Sequence, residues 1–233
     1  MKSIAAHVVA VALVAVSATP ATPQTQPAPA GSNTDLYHIH FTKAAPGQAA
    51  ALGKALMVPD PKSPMPDHFV VLRHQEGDDW DYAVIQHLGP KVTLDAAANP
   101  PNPGRDLRAW HDDTFATGPS WAEVSKLLAG GGGSTPPVFS VGVHRTVPGH
   151  RDQLQKALSQ PGAASTSKVQ PATVVLQHVE GGDWTFLAIT RYNSWQDLAA
   201  DRAAAASDGT GWNDIRQHSS FHRDTLADRV FPK

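Results

Sequence analysis

The chain has 233 residues, which is enough for two small domains or one of medium size. Its 19 basic and 21 acidic side chains give a net charge of −2, so the composition indicates no basic surface for nucleic acid. Because the sequence contains no cysteine, disulfides, thiolate metal sites and a lipoprotein anchor are all excluded.

Residues 1–18 have the pattern of a secretory signal peptide. Lys2 precedes an apolar stretch, and Val16-Ser17-Ala18 offers a small-residue cleavage site. The stretch has about 13 apolar residues, fewer than the roughly 20 that span a bilayer. Residues 19–34 are rich in proline and alanine and predict a disordered lead-in. We therefore expect a periplasmic or secreted protein without a membrane contact after cleavage.

The first predicted strand runs from Leu36 to Lys43 and alternates strictly. Tyr37, Ile39 and Phe41 share one face, whereas His38, His40 and Thr42 share the other. Pro46-Gly47 then leads into a short helix with an apolar stripe.

A sixteen-residue stretch follows that the chain contains twice. Val70–Ile85 and Val174–Ile189 are identical at nine of their sixteen positions. In each copy, β-branched residues precede a turn with glycine, and a tryptophan opens the second arm. Each copy therefore predicts a β-hairpin. The favoured register places His74 opposite Asp81, and His178 opposite Thr185.

Helical segments are predicted after each hairpin, at residues 105–115 and 121–128 and again at 194–206 and 212–230. A Gly/Pro linker at 129–137 separates the two halves, and the strand and Pro-Gly pattern restarts after it. The halves, 35–128 and 138–233, are each read as β-α-β-β-α, which is one strand short of a ferredoxin-like unit. This order predicts an α+β fold with two antiparallel sheets that cover each other.

The order strand, Pro-Gly, helix, hairpin with Gly-Asp-Trp and helix resembles the dimeric α/β-barrel superfamily. Within it, the likeness is to NIPSNAP-type and antibiotic-biosynthesis-monooxygenase-type domains fused in tandem. The resemblance implies a pseudo-dimeric barrel in a monomeric chain. It also implies a superfamily with cofactor-free oxygenases, haem-binding and haem-degrading proteins, and isomerases, so it gives a fold and a site location but no single reaction.

His74 and Asp81 are the candidate catalytic pair. A carboxylate opposite an imidazole fixes its tautomer and makes it a general base. A structural alternative is that each histidine only bonds its own backbone or a neighbouring carboxylate such as Asp81. The second copy has Thr185 in place of the aspartate, so at most the first half would be competent.

His38 and His40 are candidate ligand-binding residues, because in the expected barrel their face would line the interior. Solvent-facing histidines and a metal site are the alternatives, and a metal would need further ligands. Ser140 and Gly142 occupy the matching positions of the second half, so any such site is asymmetric.

Four further residues are candidates for ligand contact, each with a structural alternative. Arg73 could bind a ligand carboxylate or form a salt bridge. Trp80 and Trp184 could stack on a ligand or pack in the core, and His178 repeats the position of His74. By contrast, His111, His218 and His222 are assigned to solvated helix faces.

The leading functional interpretation is an exported protein that binds a small molecule in a pocket between the two sheets. One alternative is a cofactor-independent, monooxygenase-like or haem-associated enzyme, and another is a structural or interaction module. No cofactor is predicted and no metal ligand is assigned; haem and a divalent metal are the only groups left open.

Overall fold

The computed structural model describes residues 35–59, 68–90, 104–128, 136–160, 169, 171–208 and 210–232. The predicted signal peptide, the lead-in and residues 129–135 of the linker lie outside the described residues. Within the described part of the chain, no helix has the length and apolar character needed to cross a membrane.

The described residues form eight antiparallel strands in one closed barrel. The strands are β1 (Asp35–Ala44), β2 (Phe69–Glu76), β3 (Tyr82–Pro90), β4 (Arg108–Gly118), β5 (Val138–Thr146), β6 (Ala172–Glu180), β7 (Phe186–Tyr192) and β8 (Ser219–Phe231). The helices are α1 (Ala49–Leu56), α2 (Trp121–Leu128), α3 (Arg151–Ser159), α4 (Trp195–Asp208) and α5 (Thr210–His218). The order around the barrel is β1-β3-β2-β8-β5-β7-β6-β4, so the α+β class is confirmed.

The closing segment of each half contains a strand that the sequence analysis missed. The predicted helix at 105–115 is wrong, because β4 runs through it and pairs with β1 over ten residue pairs. The predicted helix at 212–230 is also wrong beyond His218, where β8 begins. Pairing with a neighbouring strand decides the conformation of such sparse apolar patterns, and local propensity does not. The two new strands supply the fourth strand of each half.

The interior of the barrel is filled by apolar side chains from all eight strands. Tyr37, Ile39 and Phe41 of β1 belong to this cluster, with Leu72, Ile85, Ala116, Phe139, Leu176, Leu187 and Ala227 from the other strands. The alternate residues of β1 therefore face outward, on the side where α1 packs against Val71 and Tyr82. The expectation that His38 and His40 line the interior is wrong. A closed barrel this narrow needs one apolar face from every strand, and these histidines are on the other face.

The duplicated hairpins join the two halves of the chain. Their predicted registers are confirmed: the His74 amide donates to the Asp81 carbonyl at 2.9 Å, and the His178 amide donates to that of Thr185 at 3.0 Å. The turn of each hairpin then contacts the closing strand of the other half. The Asp78 amide donates to Thr225 Oγ1 at 3.2 Å, and the Gly182 amide donates to Thr114 Oγ1 at 2.9 Å. These two contacts are reciprocal.

Both turns require glycine for two separate reasons. Gly77 and Gly181 have φ values of +123° and +111°, which side-chain-bearing residues rarely adopt. In addition, a Cβ added to Gly181 would overlap the backbone oxygen of Asp113 on β4. The turn therefore fits against the opposite half only because it has no side chain.

We expect Gly181→Ala to lower the free energy of unfolding by about 3 kcal/mol, from left-handed strain and overpacking together. Gly149→Ala is the matched control, because Gly149 has φ +83° but no atom within 4 Å of an added Cβ. The free energy of unfolding of this variant should fall only by the cost of backbone strain, about 1 kcal/mol. Urea unfolding of both variants measures the difference, and equal losses would show that the turn does not pack tightly.

Candidate functional site

Three histidines and one aspartate converge on the outer face of β1 and β4. We call His38, His40, His111 and Asp113 the histidine cluster. The strand register places Asp113 opposite His40 and His111 opposite Thr42, so the two residues from each strand are two positions apart and share one face. Backbone pairing thus brings four metal- or proton-binding side chains together from two short sequence segments.

Asp113 is the centre of the cluster. Its Oδ1 lies 2.8 Å from His38 Nε2 and 2.6 Å from His40 Nδ1, and its Oδ2 lies 2.8 Å from His111 Nδ1. An ionised carboxylate can only accept hydrogen bonds, so each of these three ring nitrogens carries the proton and donates it. In a neutral ring, the remaining nitrogen then has a free lone pair.

Burial and charge set the protonation states of the cluster. Burial alone would raise the pKa of Asp113, but the hydrogen bonds and charges of His38 and His40 hold that pKa well below its ordinary value. Burial lowers the pKa of His40, and this outweighs the opposite effect of Asp113; the charges of Arg108 and His38 lower it further. Near neutral pH, Asp113 is therefore an anion and His40 a neutral imidazole.

His40 has an unsatisfied polar atom. The residue is only 6% exposed, and its Nε2 has no hydrogen-bond partner among the described residues. A buried polar atom without a partner costs stability and is uncommon in native structures. This nitrogen is therefore a candidate acceptor for a hydrogen bond from a bound molecule.

The spacing of the cluster also suits a metal ion. His38 Nε2, His40 Nδ1 and an oxygen of Asp113 all lie within 4.8 Å of one another. Imidazole and carboxylate groups are common ligands of first-row transition metals. Among the described residues, these three form the one group of this kind.

The second half keeps only part of the arrangement. Between β5 and β8, His144 pairs with His222 and Gly142 pairs with Asp224, so His222 and Asp224 match His111 and Asp113. Ser140 and Gly142 stand at the positions of His38 and His40. A Cβ on Gly142 would lie 2.7 Å from Asp224 Oδ1 and 2.9 Å from His144 Nε2, so a histidine does not fit there without rearrangement. The site is asymmetric, with its full set of ligands in the first half.

The expected side-chain contact between His74 and Asp81 is not formed. The Asp81 carboxylate instead accepts the Ala44 amide at 2.8 Å, where β1 ends. His74 packs edge-on against Trp80 with ring centroids 5.7 Å apart, and its Nε2 is buried without a partner among the described residues. His178 and Trp184 repeat that packing at 5.6 Å. The correct backbone register did not bring this imidazole and carboxylate together, because a nearer donor takes the carboxylate.

The remaining candidates have structural contacts. Arg73 forms a two-point ion pair with Asp228, at 3.1 and 2.7 Å, across the junction of β2 and β8. Trp80 and Trp184 are 3% and 5% exposed and belong to the barrel interior. Ligand contact by these residues stays a prediction, whereas their packing and pairing are part of the fold.

The sequence analysis missed His111 and Asp113 as members of the site. They were placed on a helix, where residues two apart point in different directions. The signal that could have found them is the alternation His111, Asp113 and Phe115, which repeats the period of His38 and His40. His218 and His222 also do not share a helix, since His218 ends α5 and pairs through its Nδ1 with His150 Nδ1 at 2.9 Å.

Comparison with known proteins identifies the fold. No protein-family model and no curated protein sequence matches the chain. An anthrone oxidase-like protein of known structure superimposes with a TM-score of 0.60 at 16% identity, covering 85% of this chain and 92% of that chain. Two others are less similar. A candidate chlorite dismutase has a TM-score of 0.49 at 10% identity, covering 84% of this chain and 95% of that chain. A candidate monooxygenase from Lactobacillus acidophilus NCFM has 0.46 at 8%, with coverages of 84% and 94%.

At these identities the likeness is one of fold alone. The ferredoxin-like α/β-barrel fold expected from the sequence is confirmed at that level.

His144 gives the second half a testable pH dependence. Burial lowers its pKa to about 4, and the charge of His222 also lowers it, whereas Asp224 raises it. In the unfolded chain the pKa is about 6.5, so the unfolded state binds the proton first as the pH falls. The stabilising contribution is therefore complete above about pH 6.5 and is lost as the pH falls towards about 4.

We expect wild-type protein to lose about 2 kcal/mol more unfolding free energy than His144→Gln between about pH 7 and pH 4.5. Urea unfolding of both proteins at both pH values measures this difference. Comparing the two proteins cancels the contribution of the carboxylates to this pH dependence, because the carboxylates titrate in both. Parallel pH profiles would contradict burial of a neutral His144.

Proposed function

We propose that the chain is an oxygenase-like enzyme that acts on a small organic molecule at the histidine cluster. The observation that carries this proposal is the sharing of one anionic carboxylate, Asp113, by three imidazoles, one of them buried. Concentrations of perturbed titratable groups are typical of functional sites. A purely structural role would be served by one ion pair, as Arg73 and Asp228 show in this protein.

The cluster has the properties of an acid–base centre. A neutral imidazole beside a fixed carboxylate accepts a proton from a weakly acidic substrate group, and the carboxylate stabilises the imidazolium that forms. Loss of that proton leaves an electron-rich carbanion or phenolate, which can transfer electrons to O₂. The superfamily that the sequence resembles includes cofactor-free oxygenases, and the fold neighbour described as anthrone oxidase-like is consistent with such a substrate class.

The proposed location differs from the pocket first expected. The space between the two sheets is occupied by the apolar cluster, whereas the histidine cluster lies on the outer face of the first half. We therefore place substrate binding outside the barrel wall, beside β1 and β4.

The test uses anthrone as a probe, because its methylene group is acidic and the resulting anion is electron-rich. Oxygen uptake and product absorbance are followed for wild type, Asp113→Asn and the matched control Asp224→Asn. We expect Asp113→Asn to lower the rate by at least about 100-fold, as loss of general base catalysis does, and Asp224→Asn to stay near wild type.

Circular dichroism and urea unfolding confirm that each variant is folded. Equal rates in wild type and Asp113→Asn would exclude the cluster as the reacting centre. Absence of any turnover or saturable binding of anthrone by wild type would exclude this substrate class and favour an interaction module.

We also propose that the chain is a tandem, NIPSNAP-like pseudo-dimer that functions as an exported monomer. The reciprocal turn contacts support the duplication, since a two-fold dimer would form the same pair of contacts between subunits. Light scattering coupled to size-exclusion chromatography should give the monomer mass. Fractionation of the producing cells tests export.

A further inference from the structure

We propose that the histidine cluster binds one divalent first-row transition-metal ion, with His38, His40 and Asp113 as ligands and His111 as the adjacent fourth. The proposal rests on the proposed function only in sharing its site, and metal binding can be measured without any turnover. It assigns the cluster a cofactor, which would supply a Lewis acid beside the acid–base groups of the site.

The distances suit an ion after a small adjustment. Zinc-like ions lie about 2.0–2.2 Å from nitrogen and oxygen ligands, so ligand atoms in a tetrahedral site are about 3.3 Å apart. The present separations from Asp113 Oδ1 are 2.8 Å to His38 Nε2 and 2.6 Å to His40 Nδ1, the distances of direct hydrogen bonds. These two separations have to increase by about 0.5 and 0.7 Å for an ion to be shared by the atoms.

The ligand atoms also suit an ion. A metal binds a carboxylate oxygen and the lone pair of an imidazole nitrogen, and both kinds of atom meet in the cluster. The protons now shared with Asp113 can move to the opposite nitrogen of each imidazole. Binding therefore needs a change of tautomer and releases no proton from a neutral ring.

The backbone holds the ligands rigidly. β1 pairs with β3 on one side and with β4 on the other, so the Cα atoms of His38 and His40 are fixed by two strands. Sites on such paired strands keep their geometry better than sites on loops. The set of imidazoles and carboxylate favours zinc, cobalt, nickel or copper over magnesium and calcium, which prefer oxygen ligands.

One nearby charge opposes a cation. Arg108 interacts electrostatically with both Asp113 and His40. The positive charge of this side chain reduces the metal affinity expected from three imidazoles and a carboxylate. Arg108 is the first residue of β4, and its guanidinium does not act as a competing ligand. The second half lacks the histidines of β1, so the expected stoichiometry is one ion per chain.

The test is a titration of the metal-free, full-length chain with Co²⁺ alone near pH 7. We expect saturation at one equivalent, with visible absorption bands typical of nitrogen-ligated Co²⁺, and displacement of these bands by Zn²⁺. His38→Gln and Asp113→Asn should each weaken binding by more than about 100-fold; loss of a second-layer partner alone costs 10- to 100-fold. His222→Gln and Asp224→Asn, the matched changes in the second half, should leave the titration unchanged.

These variants avoid His40, whose burial makes its replacement a risk to folding. Unfolding curves confirm that each variant is native. Absence of saturable Co²⁺ binding overturns the proposal, and so does binding that His38→Gln and Asp113→Asn leave unchanged, since it would then arise at another histidine pair. Full anthrone turnover in metal-free protein would overturn the cofactor role while leaving the acid–base function, so the two proposals fail separately.

Discussion

The closure of the barrel is the constraint on which the rest of the structure depends. Eight strands around one narrow interior each contribute one face to it, and the apolar cluster that fills it takes side chains from every strand. In β1 the aromatic and aliphatic face belongs to this cluster, so His38 and His40 are directed outward. β4 then pairs with β1 in a register that places Asp113 beside them. The site is thus a consequence of how the interior is filled.

The second half of the chain contributes to a site that contains none of its side chains. The turn at Gly181 and Gly182 lies against the backbone of Asp113 and Thr114, where the Gly182 amide donates to Thr114 Oγ1. β4 is held at the cluster mainly by its ten residue pairs with β1, whereas β6 pairs with it over only three. The turn therefore adds a contact from the second half to a strand whose register is already set within the first half.

Local sequence patterns predicted part of this structure and missed the part that depends on distant pairing. The hairpin registers followed from glycine, whose positive φ fixes the turn, and burial of Trp80 and Trp184 followed from ring size. The asymmetry at Ser140 and Gly142 was also visible in the repeat. β4 and β8 were missed because their residues are mixed in polarity, and only pairing with β1 and β5 makes them strands. The inward face of β1 was predicted wrongly because the expected barrel had a polar pocket inside, whereas the observed interior is filled by side chains and takes the apolar face.

Both halves of the barrel bury ionisable groups. A buried histidine without a partner reduces stability, and so does a carboxylate taken out of water. In the second half, a side chain at position 142 would collide with Asp224 and His144. Replacing Gly142 by histidine alone therefore does not create the arrangement that His40 has in the first half. In the first half, the Asp113 carboxylate accepts hydrogen bonds from three imidazoles, and the cost of burial remains at His40 Nε2, which has no partner among the described residues. The second half bears a similar cost at His144, whose Nδ1 is buried without a partner in the described part of the chain. The two halves therefore differ less in what burial costs than in the number of imidazoles that surround the carboxylate.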